Sequence, residues 1–110
     1  MNATELPATI TGFLAAQEAR DPAALEFLAP GAVVTDDGQT YRGADEIRGW
    51  LERAASEYTY TTTFAGATRH DPDHYDVRKR LEGNFPGGVV DLHYRFTLDD
   101  STITRLVIEP

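Results

Sequence analysis

At Tyr58 the apolar spacing of this chain changes from the helical period to a period of two, and that switch limits the folds open to it. Upstream, Ile10, Phe13 and Leu14 recur at helical spacing, with Leu6 a turn earlier. Ile47, Trp50, Leu51, Ala54, Ala55 and Tyr58 then form a longer amphipathic stripe. Downstream, Tyr58, Tyr60, Thr62 and Phe64 share one strand face, with Thr59, Thr61 and Thr63 on the other. Tyr75, Val77, Lys79 and Leu81 alternate next, followed by Val90, Leu92, Tyr94, Phe96 and Leu98 and by a closing strand from Ile103 to Ile108. Helices first and long strands afterwards predict an α+β fold, a curved antiparallel sheet covered on one face by N-terminal helices. A bent sheet and a helix layer separate at one end, which opens a hollow of the kind that holds small ligands.

Turn chemistry divides the elements. Asp21-Pro22 reads as an N-cap with proline at N1, opening a short helix that carries Leu25 and Leu28 and ends at Pro30-Gly31. A strand from Ala32 to Asp36, a tight Asp37-Gly38 reversal and an extended Gln39–Arg42 follow. Asp45 and Glu46 complement the dipole of the next helix. Turns are expected at Asp71-Pro72-Asp73, from Gly83 to Gly88, and from Asp99 to Ser101. The β-formers on both faces of the Tyr58–Phe64 strand predict that it is sheltered on both sides.

At 110 residues the chain reads as one domain, 1–110, large enough to bury a core. It has no cysteine, so disulfides, thiolate metal sites and thiol nucleophiles are excluded. A formal net charge of −8 repels polyphosphates and anionic membranes, which argues against nucleic-acid and membrane partners. No run approaches the roughly 18 apolar residues of a membrane span, and the first twenty residues lack the marks of a secretory signal, so a cytoplasmic location is expected.

One acid interrupts its pattern. Asp36 stands two residues after Val34, where alternation calls for an apolar side chain, so it shares whichever face Val34 takes. It is either the flank of the Asp37-Gly38 turn or one member of an acid pair tuned by burial. Tyr94 lies on the face of Leu92 and Phe96, as packing or as a proton donor into the hollow. Lys79, between Val77 and Leu81, is either a tuned buried amine or a stem whose ammonium reaches water. His70, Asp71, Asp73 and His74 offer nitrogen and oxygen ligands, but Pro72 makes them a hairpin tip, and no metal site is expected. Phe13, Val34, Trp50, Tyr58, Phe64, Leu92 and Phe96 are the candidate pocket walls.

The element order resembles the nuclear transport factor 2-like superfamily, a cone-shaped, cystatin-like fold, and within it the small SnoaL-like bacterial proteins. Phe13-Leu14-Ala15-Ala16, Asp21-Pro22 before Leu25, Ala32-Val33-Val34 before an acid, Tyr41-Arg42-Gly43 before Ile47 and Trp50, and Leu81 to Gly87 carry the resemblance over nearly the whole chain. The resemblance implies that Asp36 occupies the general-base position of the steroid isomerase branch. It also implies that the oxyanion tyrosine of that branch is replaced by Phe13, and its second oxyanion acid by Leu92 with Asp91 one residue away on the opposite face. Steroid isomerisation by that mechanism is therefore not expected. The hydrolase branch's late carboxylate has no counterpart, since Arg105 stands there, and neither does the cyclase branch's late acid. Two functions stay open. One is a cofactor-free lyase, isomerase or cyclase with Asp36 as base and Tyr94 as donor on a small apolar molecule. The other is a non-catalytic ligand-binding or dimerisation module. A homodimer through the outer sheet face, using Thr59, Thr61 and Thr63, is also implied.

Overall fold

In a computed structural model the chain folds as a six-stranded, curved and unclosed sheet with its helices on one side. The structure describes the backbone of residues 1–110 and the side chains of all but residues 3 and 54–57, so Ala54 and Ala55 of the long helical stripe lie outside the described residues. Helix α1 spans Ala8–Glu18, a 3₁₀ helix covers Pro22–Phe27, and α2 spans Gly43–Glu57. The strands are β1 (Leu28–Asp36), β2 (Gln39–Arg42), β3 (Tyr60–Asp71), β4 (His74–Gly83), β5 (Val89–Asp99) and β6 (Thr102–Glu109). Their order is β2-β1-β6-β5-β4-β3. Neighbours are antiparallel except β1 and β6, which pair in parallel and join the first strand to the last. Among the described residues, no helix is long and apolar enough to cross a membrane.

Local chemistry sets the boundaries. The Asp21 side chain accepts from the Ala23 amide at 2.9 Å and, with Pro22 behind it, opens the 3₁₀ helix. Asp37 and Gly38 both take positive φ, 53° and 75°, which is the primed turn that joins twisted antiparallel strands. Strand β1 starts earlier than expected, at Leu28, and runs through Pro30-Gly31 instead of beginning after them. Its register against β6 shifts between Leu28 and Val33, and such an irregularity lets a strand carry a proline that cannot donate to the ladder.

Phe13 and Phe96 meet edge to face with ring centroids 6.0 Å apart and, with Ile10, Val34, Ile103 and Leu106, form the centre of the hydrophobic core. A register shift between Phe64 and Gly66 bends β3, and after it Ala67 is the buried residue, not Thr68 as unbroken alternation would have it. Residues Tyr60, Thr62 and Phe64 thus face inward before the bulge. Sheltering of β3 on both sides is not what the fold shows. It is the edge strand, Thr61 and Thr63 are exposed, and Thr59 precedes it. The outer face carries charge across its strands, with Arg80 on Asp91, Arg95 on Glu109, and His93 and Arg78 on Asp76.

Candidate functional site

Asp36 closes β1 opposite Ile108 of β6, and Ile108 lies opposite Tyr94 of β5. Cross-strand partners point to the same side, so Asp36, Ile108 and Tyr94 form one row on the inner face, with about 10 Å between the first and third backbones. Trp50, on the buried stripe of α2, donates its Nε1–H to Asp36 Oδ2 at 2.9 Å. That contact orients the carboxylate. Tyr41 packs against the Trp50 ring at 6.2 Å, and the Arg53 guanidinium lies 5.3 Å from the Tyr41 ring. These side chains open onto a hollow of about 760 Å³ whose walls include Asp36, Tyr41, Trp50, Tyr60, Leu92 and Tyr94.

Two phenols meet there. Burial pushes the Tyr94 hydroxyl well above the usual phenol range, and the nearby Tyr60, Asp36 and Glu18 push it the same way. Burial also raises Tyr60, partly offset by Arg20, with Asp36 and Glu18 adding to the rise. Both therefore stay protonated at neutral pH and can donate a hydrogen bond to an oxygen that gains charge.

Lys79 does not send its ammonium to water. It sits on an inner strand with β3 and β5 on either side, so its stem has no short route to the sheet edge. Its side chain, only 5% exposed, pairs with Glu18 of α1, and Thr62 donates to the same Glu18 Oε1 at 2.9 Å. Partial burial works against the Glu18 charge, but the bonds from Lys79 and Thr62 outweigh it and hold the carboxyl below its ordinary range. The Lys79 Nζ lies 5.8 Å from the Tyr94 ring centroid. A second cavity of about 260 Å³, bordered by Glu18, Arg20, Tyr60, Lys79 and Tyr94, adjoins the first.

The structure brings together Asp36, Tyr94, Trp50, Tyr58 and Leu92 of the expected site. It does not bring Phe13, Val34 and Phe96 to the cavity wall. They are at most 1% exposed and belong to the packed core, where neighbouring apolar side chains take up the space around them. Phe64 is half-buried against the core and borders a separate cavity of about 400 Å³ with Arg78 and Asp91 instead. Asp37 takes the turn and is exposed beside the hollow. Asp91 and His93 point to the outer face, where Arg80 and Asp76 hold them. At the β3–β4 tip, His74 Nδ1 meets Asp71 Oδ1 at 2.8 Å, and among the described residues no three His, Asp or Glu side chains converge as a metal site would need.

Sequence reasoning missed Gln17, Glu18 and Tyr60. The signal was present: Gln17 and Glu18 continue the Ile10, Phe13, Leu14 stripe at i+7 and i+8, so they are polar residues at apolar positions. Asp36 and Lys79 interrupt their strands in the same way, and all four border the connected cavities.

A SnoaL-like domain model matches residues 10–106. Among solved structures, a Sinorhizobium meliloti protein provisionally named a polyketide cyclase shares 34% identity, over 99% of this chain and 100% of that one, with a TM-score of 0.91. A Catenulispora acidiphila protein with a ketosteroid isomerase-like fold, solved in complex with trimethylamine, shares 23% identity over 94% and 85% of the two chains, with a TM-score of 0.81. TerC, co-crystallised with polyporic acid, shares 18% identity over 92% and 87%, with a TM-score of 0.78. The last two, at those identities, speak to the fold alone. No curated protein matches the sequence.

Proposed function

The chain belongs to the SnoaL-like domain family, and from that premise we propose that it binds a small, largely apolar molecule in the hollow and moves a proton on it. Asp36 is the acceptor and Tyr94 the hydrogen-bond donor. The observation that carries this reading is the inward Asp36 carboxylate, held at 2.9 Å by the Trp50 indole in a cavity it shares with two protonated phenols.

For a substrate with a C–H bond beside a carbonyl, the carboxylate takes the proton and the C–H electron pair becomes the enolate double bond. The carbonyl oxygen takes the negative charge and accepts the Tyr94 hydrogen bond. Returning the proton to a different carbon gives an isomer. Expelling a group from the β-carbon gives a lyase reaction, and attack of the enolate carbon on a second carbonyl closes a ring. The provisional name of the Sinorhizobium meliloti relative favours the last.

A nitrobenzisoxazole tests the base directly: loss of its ring C–H proton breaks the N–O bond and releases a coloured phenolate. Asp36→Asn keeps an acceptor for Trp50 while removing the base, so the ring-opening rate is expected to fall at least about a hundredfold. An unchanged rate contradicts the catalytic role and leaves a ligand-binding module. As a separate reading, we infer that two copies pair through the outer sheet face, which presents Thr61 and Thr63 beside charges of both signs.

A further inference from the structure

The hollow is polarised along its length. Asp36, Asp37 and Glu109, with the Arg53 guanidinium also in the wall, border the larger cavity, while the adjoining one is bordered by Lys79 and Arg20 with Glu18 as the counter-charge among the described residues. On a chain of net charge −8, a buried ammonium facing a ligand-sized space stands out from the general field. Burying a charge is costly unless it is paired, and Lys79 is paired unequally. Its side chain is 5% exposed, whereas that of Glu18 is 47% exposed and comes from the last turn of a surface helix.

We propose that Lys79 is the recognition point for an anionic oxygen on the ligand, a carboxylate, enolate or phenolate attached to an apolar skeleton, and that Glu18 occupies this position until the ligand displaces it. An ammonium has three donors, and Glu18 engages it through the one oxygen that Thr62 also uses. The exchange conserves charge pairing: the incoming anion takes the Lys79 proton donors, and Glu18 turns to water, where a half-exposed carboxylate is readily solvated. Tyr94 lies between the two ends, its ring 5.8 Å from Lys79 Nζ and its backbone two strands from Asp36. A ligand anchored by its acidic group at Lys79 thus extends across the Tyr94 hydroxyl toward the Asp36 carboxylate. This inference rests on the hollow being a ligand site, and it adds the ligand's class and orientation.

Two fluorescent probes with one ring skeleton separate the claims: anilinonaphthalene sulfonate, which is anionic, and N-phenylnaphthylamine, which is uncharged. In the wild type and in the Lys79→Gln and Glu18→Gln variants, dissociation constants for both probes are measured by fluorescence titration. Lys79→Gln is expected to weaken the anionic probe about tenfold, the loss of one charge-assisted hydrogen bond, and to change the neutral probe less than about twofold. Glu18→Gln removes the competitor and is expected to tighten the anionic probe severalfold, with the neutral probe again unmoved. This variant keeps Lys79 and so reads the proposal even if Lys79→Gln folds poorly. Anionic-probe affinity that ignores both substitutions, or that falls in Glu18→Gln, overturns the proposal while leaving the Asp36 reading intact. Binding of neither probe to the wild type overturns both.

Discussion

Trp50 helps to orient Asp36, its Nε1–H reaching Oδ2 from a helix position that is itself 3% exposed. Trp50→Phe keeps a ring for Tyr41 to pack against but removes the donor. A carboxylate without that donor is no longer aimed at the substrate. The nitrobenzisoxazole rate at neutral pH is therefore expected to fall about tenfold. An unchanged rate shows that the indole does not hold the base. The same scale explains why the site was partly legible in the sequence. Asp36, Lys79, Gln17 and Glu18 each occupy a position that periodicity assigns to an apolar side chain. In the two strands the break is conspicuous, because alternation is strict. In α1 it falls at the last turn, where a polar residue reads equally well as the end of the helix, so Gln17 and Glu18 passed unnoticed.

Among the elements, α1 and β4 are tied by Glu18 and Lys79, and this link makes stability depend on pH. The Glu18 carboxyl titrates below its ordinary 4.5 in the folded chain. Its contribution is therefore complete above that ordinary value and disappears as pH falls through the lower folded value. Because the carboxylate is half-exposed, screening keeps the effect below about 1 kcal/mol. In urea titrations between about pH 6 and pH 3, the wild type is expected to lose stability more steeply on acidification than Glu18→Gln. Equal slopes would contradict the pairing. Element boundaries show where local sequence stops being informative. The turns at Asp37-Gly38 and Asp71-Pro72-Asp73 carry their own chemistry and were readable. The start of β1 at Leu28 was not, because Pro30 and Gly31 are tolerated there only through the irregular pairing with β6. The bulge near Gly66, which reverses the inward face of β3, depends likewise on β4 and leaves no mark in alternation that ends at Phe64.

At the scale of the whole molecule, the parallel junction of β1 with β6 matters most. It brings Asp36 from the first third of the chain beside Ile108 near its end, and so within two strands of Tyr94. No local pattern predicts that closure, because the two strands stand at opposite ends of the chain. The exposed Thr face of the edge strand β3 fits pairing of two copies. Sedimentation velocity is expected to report twice the chain mass of 12.1 kDa at micromolar concentration. A single species of one chain mass, unchanged on concentration, would remove that inference without touching the hollow. The central claim is that the acid ending β1 looks into an open, ligand-accepting hollow, and the chain holds a single tryptophan with which to read it. The Trp50 indole N–H gives one resonance in a proton–nitrogen correlation spectrum. The account predicts that N-phenylnaphthylamine shifts it, together with the backbone amides of Gln17 and Tyr94, and leaves those of Arg78 and Arg80 on the outer face unmoved. An indole signal indifferent to the probe, or shifts confined to the outer face, would contradict it.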